Sequence, residues 1–288
     1  MPRLLLAHSP DADDAFMFYA LAQGLVPTGD RTYVHELADI ETLNQRALRA
    51  ELDVTAVSIH AYAYLADRYA LLPHGASMGE RYGPRLVGRN PPPSDPARAT
   101  RGRRIAVPGR LTTAMLCLKL FQPDFEPVVT PFDQIEDAVA QGTVEAGLLI
   151  HEGQLTFSKR GLHLWVDLGE WWFQQTGLPL PLGGNVIRRA LGPELIRLVA
   201  QDLKASIAYG LAHRDEALRY AMQFARGLDP AAADQFVGMY VNQLTLDYGE
   251  RGRRAVEALL ARGAAAGLIP RVPQIVAPDE VRPNGVRC

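Results

Sequence analysis

From residue 4 to residue 151 short apolar runs alternate with helical periods, and the stretch RNPPPSDPARATRG (89–102) cuts that alternation into two cycles. Proline and small polar residues there forbid regular structure, so the stretch reads as a crossing between two bodies. Before it, LLLAH (4–8), TYVHEL (32–37) and DVTAVSIH (53–60) have strand composition, and DAFMFYALAQG (14–24) has that of a helix ending at Gly24. Asp39 is placed to cap a second helix with Ile40, Leu43, Ala47 and Leu48 on one face, and AYAYLADRY follows the third strand. After the break, strand-like RRIAVPG (103–109), PVVTPF (127–132) and EAGLLIH (145–151) alternate with helical TTAMLCLKLFQ (112–122) and DQIEDAVAQG (133–142). Each cycle has the βαβ rhythm of a parallel sheet.

A second break follows. After LHLWVDLG and EWWFQQTG, the segment LPLPLGGNVIRR (178–189) carries prolines and paired glycines that suit a crossing better than an element interior. From there to about residue 266 the pattern is helical, with Ile196, Val199, Leu203 and Ile207 on one face, and no strand remains for a third sheet. A chain of 288 residues also sits near two ordinary domains, at about 100–200 residues each. The expected fold is therefore α/β with two lobes and a ligand cleft between them. Residues 1–90 with 185–288 would form a discontinuous larger lobe, and 91–184 an inserted smaller one. The tail PDEVRPNG (278–285) is expected to be mobile.

Charge narrows the partner. Thirty basic and 32 acidic residues are spread along the chain for a net charge of −2, with no basic stripe for nucleic acid or anionic lipid. No stretch approaches a membrane span and the first residues hold no signal-peptide core. The two cysteines, Cys117 in an apolar helical run and Cys288 at the end, suggest no disulfide framework. A cytoplasmic protein acting on a small molecule is expected.

Ligands of open parallel sheets bind beyond the carboxyl ends of the strands, and four segments fall there. HSPDADDAF sets Ser9 and three carboxylates before a helix, which serves either capping or ligand contact. AVSIHAY ends a strand at Ser58, as a cap or as a ligand donor. In PGRLTTAML, Gly109 allows a tight turn, and Thr112 and Thr113 at a helix start serve as caps or as an anion seat. His151 emerges from LLIHEG at a strand end, as a general base or as a structural, hydrogen-bonded histidine. A nearby helix N-terminus would keep such a base neutral, and Glu152 would orient it or cap the next helix. His8, His35, His60, His74, His163 and His213 have no cysteine or acid at metal-ligand spacing, and there is no nucleophile elbow or dinucleotide fingerprint.

Several segments, among them AHSPDADDAFMFYAL, ADIETLNQRAL, VSIHAYAYLADRYALLPHGASMGERYGP, VPGRLTTA, EAGLLIHEGQLTF, VDLGEWWFQQTGLPLPLGG and YVNQLTLDYGERGRRAV, resemble the 1,4-dihydroxy-6-naphthoate synthases of the futalosine route to menaquinone. The resemblance runs from residue 7 to 256 and implies a type II periplasmic-binding-protein-like fold. It implies a lyase that cleaves cyclic dehypoxanthine futalosine to the naphthoate with loss of a small polyol fragment and without metal or organic cofactor. It places His151 on the catalytic base, Ser58 on a substrate-binding position and Thr112 and Thr113 on the substrate-binding threonine pair. SPDADD stands where many members read Ser-Pro-Cys-Pro-Asn-Asp, and Ala56 where they carry lysine, so Ala56 and Val57 are carried over only as neighbours of Ser58. The expected partner is an aromatic carboxylate, bound by a monomer or homodimer, with Phe16, Trp171 or Trp172 as an apolar wall. Chorismate dehydratase of the same pathway and a non-catalytic solute-binding protein are the alternatives.

Overall fold

The computed structural model describes residues 2–225 and 227–275; the tail segment PDEVRPNG and Cys288 lie outside them. The first cycle is β1 (Arg3–His8), α1 (Ala12–Ala22), β2 (Thr32–Leu37), α2 (Ile40–Leu48), β3 (Val54–Ser58), α3 (Ile59–Leu65), β4 (Tyr69–Leu71) and β5 (Ser77–Gly79). The second is β6 (Arg85–Gly88), α4 (Pro96–Thr100), β7 (Arg104–Val107), α5 (Thr113–Phe121), β8 (Glu126–Val129), α6 (Ile135–Gln141), β9 (Ala146–Leu149), α7 (Gly153–Thr156), β10 (His163–Asp167) and α8 (Leu168–Thr176). The chain then returns through β11 (Leu180–Arg188) to α9 (Pro193–Ala212), α10 (Arg214–Ala221), α11 (Pro230–Tyr240), α12 (Gln243–Leu246) and α13 (Gly249–Ala265).

Two sheets result, one in the order β2-β1-β3-β11-β4 with β5 also on β11, the other β10-β6-β9-β7-β8. The expected parallel pairing holds for β1 with β2 and β3 and for β7 with β8 and β9. Both sheets are nevertheless mixed, because β11 and β6 run antiparallel to their neighbours. Two expectations are corrected here. The segment at 89–102 is not the crossing: β6 at Arg85–Gly88 already belongs to the second sheet, so the chain changes sheet within 80–84. The segment at 178–189 is largely a strand, with β11 hydrogen-bonded to β3, β4 and β5. The second of its paired glycines answers to packing: a Cβ on Gly184 would sit 2.5 Å from the Tyr248 hydroxyl.

The first sheet is covered on both faces. Leu4, Leu6, Val54 and Ile187 pack on Phe16, Ile196, Val199, Leu203 and Ile207 of α1 and α9. Val57, Leu71 and Val186 face α3 and α13, while Ala7 and Ala56 pack on Leu43 of α2. The second sheet packs Val87, Ala106 and Leu149 on Ile135 and Val139 of α6. Sheets buried on both faces read as continuous apolar runs rather than alternating ones, as the sequence shows. Among the described residues no helix is long and apolar enough to cross a membrane.

Candidate active site

Strand ends of both sheets converge on one cavity. From the first sheet come Ser9, Asp11, Asp13 and Asp14 after β1, Ser58 at the end of β3, and Gly183 and Gly184 of β11. From the second come Thr112, Thr113 and Ala114 after β7 and Ile150, His151 and Gln154 after β9. The structure thus gathers Ala56, Val57, Ser58, Thr112, Thr113 and His151 around a single space.

His151 lies two residues past β9 with φ of 56°, a left-handed conformation uncommon for a residue bearing a Cβ and shared here by Ala50 and Arg81. Its ring meets Phe132 edge-on, with centroids 4.9 Å apart. Nδ1 is 2.9 Å from Asp11 Oδ2, and the two side chains are 16% and 8% exposed, so this ion pair joins the two sheets across the cleft. Burial alone would depress the imidazole pKa, but the Asp11 hydrogen bond and charge, with the charges of Glu152 and Asp14, outweigh it and raise the pKa above 6.5. The shift runs opposite to the lowering expected from a helix N-terminus. Glu152 does not cap α7, which has no side-chain cap. The partner that orients the ring is Asp11, for which the sequence suggested only capping or ligand contact.

The three acids after β1 are both caps and cavity wall. Asp11 Oδ1 accepts the Asp14 N–H at 3.2 Å, and Asp14 Oδ2 accepts the Ser9 N–H at 2.7 Å. One oxygen from each of Asp11, Asp13 and Asp14 lies within 4.8 Å of the others, a set that would suit a hard cation. Asp11 Oδ2 and Asp14 Oδ2 are already used by His151 and Ser9, which ties the cluster to the imidazole. Burial would raise the Asp11 pKa, yet the bond and charge of His151 bring it below the ordinary value. Burial and the Asp11 charge push Asp13 and Asp14 well above it.

Ser58 is held by a residue the sequence reading missed. Asn44 of α2 accepts the Ser58 N–H at 2.9 Å through Oδ1 and donates from Nδ2 to Ser58 Oγ at 3.1 Å. With its oxygen accepting, the Ser58 hydroxyl keeps its own proton for the cavity. The available signal was an asparagine beside Leu43 and Ala47 on the apolar face of a helix; all three are fully buried.

Of the two roles expected for the threonine pair, Thr112 fills that of the cap. Thr112 Oγ1 accepts the Met115 N–H at 3.2 Å and donates to the Gly109 carbonyl at 3.1 Å. Thr113 Oγ1 donates to the Leu182 carbonyl at 2.5 Å and accepts the His60 N–H at 3.2 Å. Both hydroxyl protons are spent on backbone, so what α5 offers an anion is its first N–H groups, at Thr113 and Ala114, which have no acceptor within the helix. Gly109 answers to close approach rather than to a left-handed turn: a Cβ there would lie 2.4 Å from the Glu41 carboxylate, which accepts the Leu111 N–H at 3.1 Å. The proposed aromatic wall is also corrected. Phe16 and Trp172 are fully buried in the core and Trp171 packs on Phe121, whereas Ile40, Ile150, Leu182, Phe236 and Tyr240 line the cavity.

Known proteins resemble this arrangement along nearly the whole chain. A protein from Archaeoglobus fulgidus, known by its crystal structure, superposes with a TM-score of 0.88 at 48% identity, covering 93% of this chain and 98% of its own. The alkanesulfonate-binding protein of Xanthomonas axonopodis pv. citri shares the fold alone, at a TM-score of 0.70 and 14% identity, over 96% of both chains. Proteins named 1,4-dihydroxy-6-naphtoate synthase from Thermus thermophilus and Streptomyces coelicolor are 44% and 41% identical, over 95% and 93% of this chain and 98% and 95% of theirs. The family described as menaquinone biosynthesis matches residues 4–265, and the chain belongs to it.

Proposed function

We propose that this protein is a lyase that forms 1,4-dihydroxy-6-naphthoate from cyclic dehypoxanthine futalosine, with His151 as general base. The observation that carries the reading is the Asp11–His151 pair, set in a cleft whose other wall is the start of α5. The substrate carboxylate would sit on the N–H groups of Thr113 and Ala114 and the free proton of Ser58, with its rings against Ile40, Ile150 and Leu182. His151, held by Asp11 through Nδ1, presents its other nitrogen as the base. His151 would take the proton of a hydroxyl on the fragment, so that the fragment leaves as a carbonyl compound while the electron pair of the broken C–C bond passes to the ring carbonyl as an enolate, which on protonation is the aromatic ring system. Aromatisation supplies the driving force, so the reading calls on no cofactor. Residues 2–84 with 180–275, and 85–179, would be the two bodies that close on the substrate, and the free buried thiol of Cys117 suits a cytoplasmic location.

Incubating the purified protein with cyclic dehypoxanthine futalosine should produce the naphthoate chromophore. The His151→Ala variant should fold and lose ~10²–10⁴ in kcat, the usual worth of a general base. Turnover of chorismate instead, or a variant as active as the wild type, would overturn the reading or the role of His151 respectively. Solute-binding proteins share the fold, but the identity to named synthases favours the enzyme.

A further inference from the structure

We propose that Gln154 is a positioning residue for the reaction: its amide ties the backbone of the base, His151, to the opposite body. The inference rests on the lyase reading and deepens it. Gln154 sits in α7, lines the cavity and is 2% exposed. Its amide nitrogen donates to the Gly83 carbonyl at 2.8 Å and to the Tyr240 hydroxyl at 2.7 Å, and its amide oxygen accepts the His151 N–H at 3.3 Å. The reverse orientation would set oxygen against the Gly83 carbonyl and nitrogen against that N–H, two like pairs that repel.

Both backbone groups of His151 end on this one residue. Besides the N–H held by the amide, the His151 carbonyl accepts the Gln154 N–H at 3.1 Å, and among the described residues no backbone carbonyl accepts the His151 N–H. The direction of a residue's N–H follows φ and that of its carbonyl follows ψ, so the two bonds hold the left-handed backbone, with φ of 56°, from which the imidazole reaches Asp11. The main chain of Gln154 stays with the second sheet, because the Arg85 guanidinium of β6 donates to its carbonyl. Its amide reaches the other way, to Gly83 in the crossing and to Tyr240 at the end of α11. Parting the bodies would withdraw those two acceptors and leave the His151 N–H on a side chain free to turn. Neither amide hydrogen is left for the substrate, so Gln154 acts through His151.

Gln154→Met keeps the length and bulk of the side chain and removes the amide, which gives the test. It should lower kcat for cyclic dehypoxanthine futalosine about tenfold to a hundredfold, the worth of a displaced catalytic group. KM should change less than about threefold, because no contact with the substrate has been removed. In a His151→Ala background the same substitution should cost less than about twofold in the residual rate, since no base remains to be placed. Should circular dichroism show that Gln154→Met does not fold, Tyr240→Phe, which takes away one of the two acceptors of the amide, makes the same comparison: a smaller fall in kcat that is likewise lost without the imidazole. An unchanged kcat, a rise in KM in place of the fall in kcat, or an equal loss in both backgrounds would each overturn the assignment while leaving the lyase reading intact. Absence of turnover by the wild-type protein would overturn both.

Discussion

His151 shows how a single side chain acquires its chemistry. Its place at the end of the apolar run LLI is plain in the sequence, but its protonation is set by Asp11, which belongs to the other sheet. The consequence for pH dependence follows from the sign of the shift. The base works only when unprotonated, and its pKa lies above 6.5, so kcat/KM should rise with pH through a point above 6.5. Asp11→Asn removes the charge that stabilises the imidazolium and leaves the burial that disfavours it, so the acid limb should move to lower pH. A pH–rate profile of the variant with its acid limb unmoved would mean that Asp11 does not control the ring. Asn44 teaches the same lesson in a quieter form: a polar residue on an apolar helix face was legible, but not that it would clamp Ser58 through two hydrogen bonds.

At the scale of elements, α5 was legible and its role in binding was only partly so. TTAML reads as a capped helix start, and Thr112 does cap it. Where the hydroxyl protons go depends on Gly109 and Leu182, and Leu182 arrives on a strand from the other sheet. Thr113→Val therefore leaves the Leu182 carbonyl and the His60 N–H unpaired and should lower stability by about 1–3 kcal/mol in denaturant unfolding. KM should rise less than about tenfold, since the backbone N–H groups of α5 remain for the anion. Unchanged stability with a KM raised a hundredfold or more would return that hydroxyl to the substrate. Strand β11 was misread for a related reason. Its proline and paired glycines are poor strand residues in isolation, but pairing with three neighbours and the close approach of Tyr248 at Gly184 outweigh that local cost.

For the whole molecule, the two bodies share a buried apolar cluster, in which Val57, Tyr62 and Leu259 of one pack with Leu116, Leu118 and Trp172 of the other, and polar bonds join them around the cavity. Asp11 meets His151, the His60 ring lies 3.1 Å from the Thr112 carbonyl, Glu41 accepts the Leu111 N–H, and the Tyr240 hydroxyl lies 2.7 Å from the Gln154 amide. A ligand that touches both walls should favour the closed form. Small-angle scattering should accordingly show a smaller radius of gyration with 1,4-dihydroxy-6-naphthoate than without it, and superimposable profiles would count against closure. The sequence by itself determined the α/β class, two cycles of strands and helices, a helical return and the strand-end histidine, because each is written in local periodicity and capping. Tertiary structure alone decided where the chain changes sheet, which strands run antiparallel, that Asp11 is the partner of His151, and that the threonine hydroxyls serve the backbone. Those outcomes depend on hydrogen bonds between residues far apart in the chain, and neither periodicity nor composition carries information about which distant groups will meet.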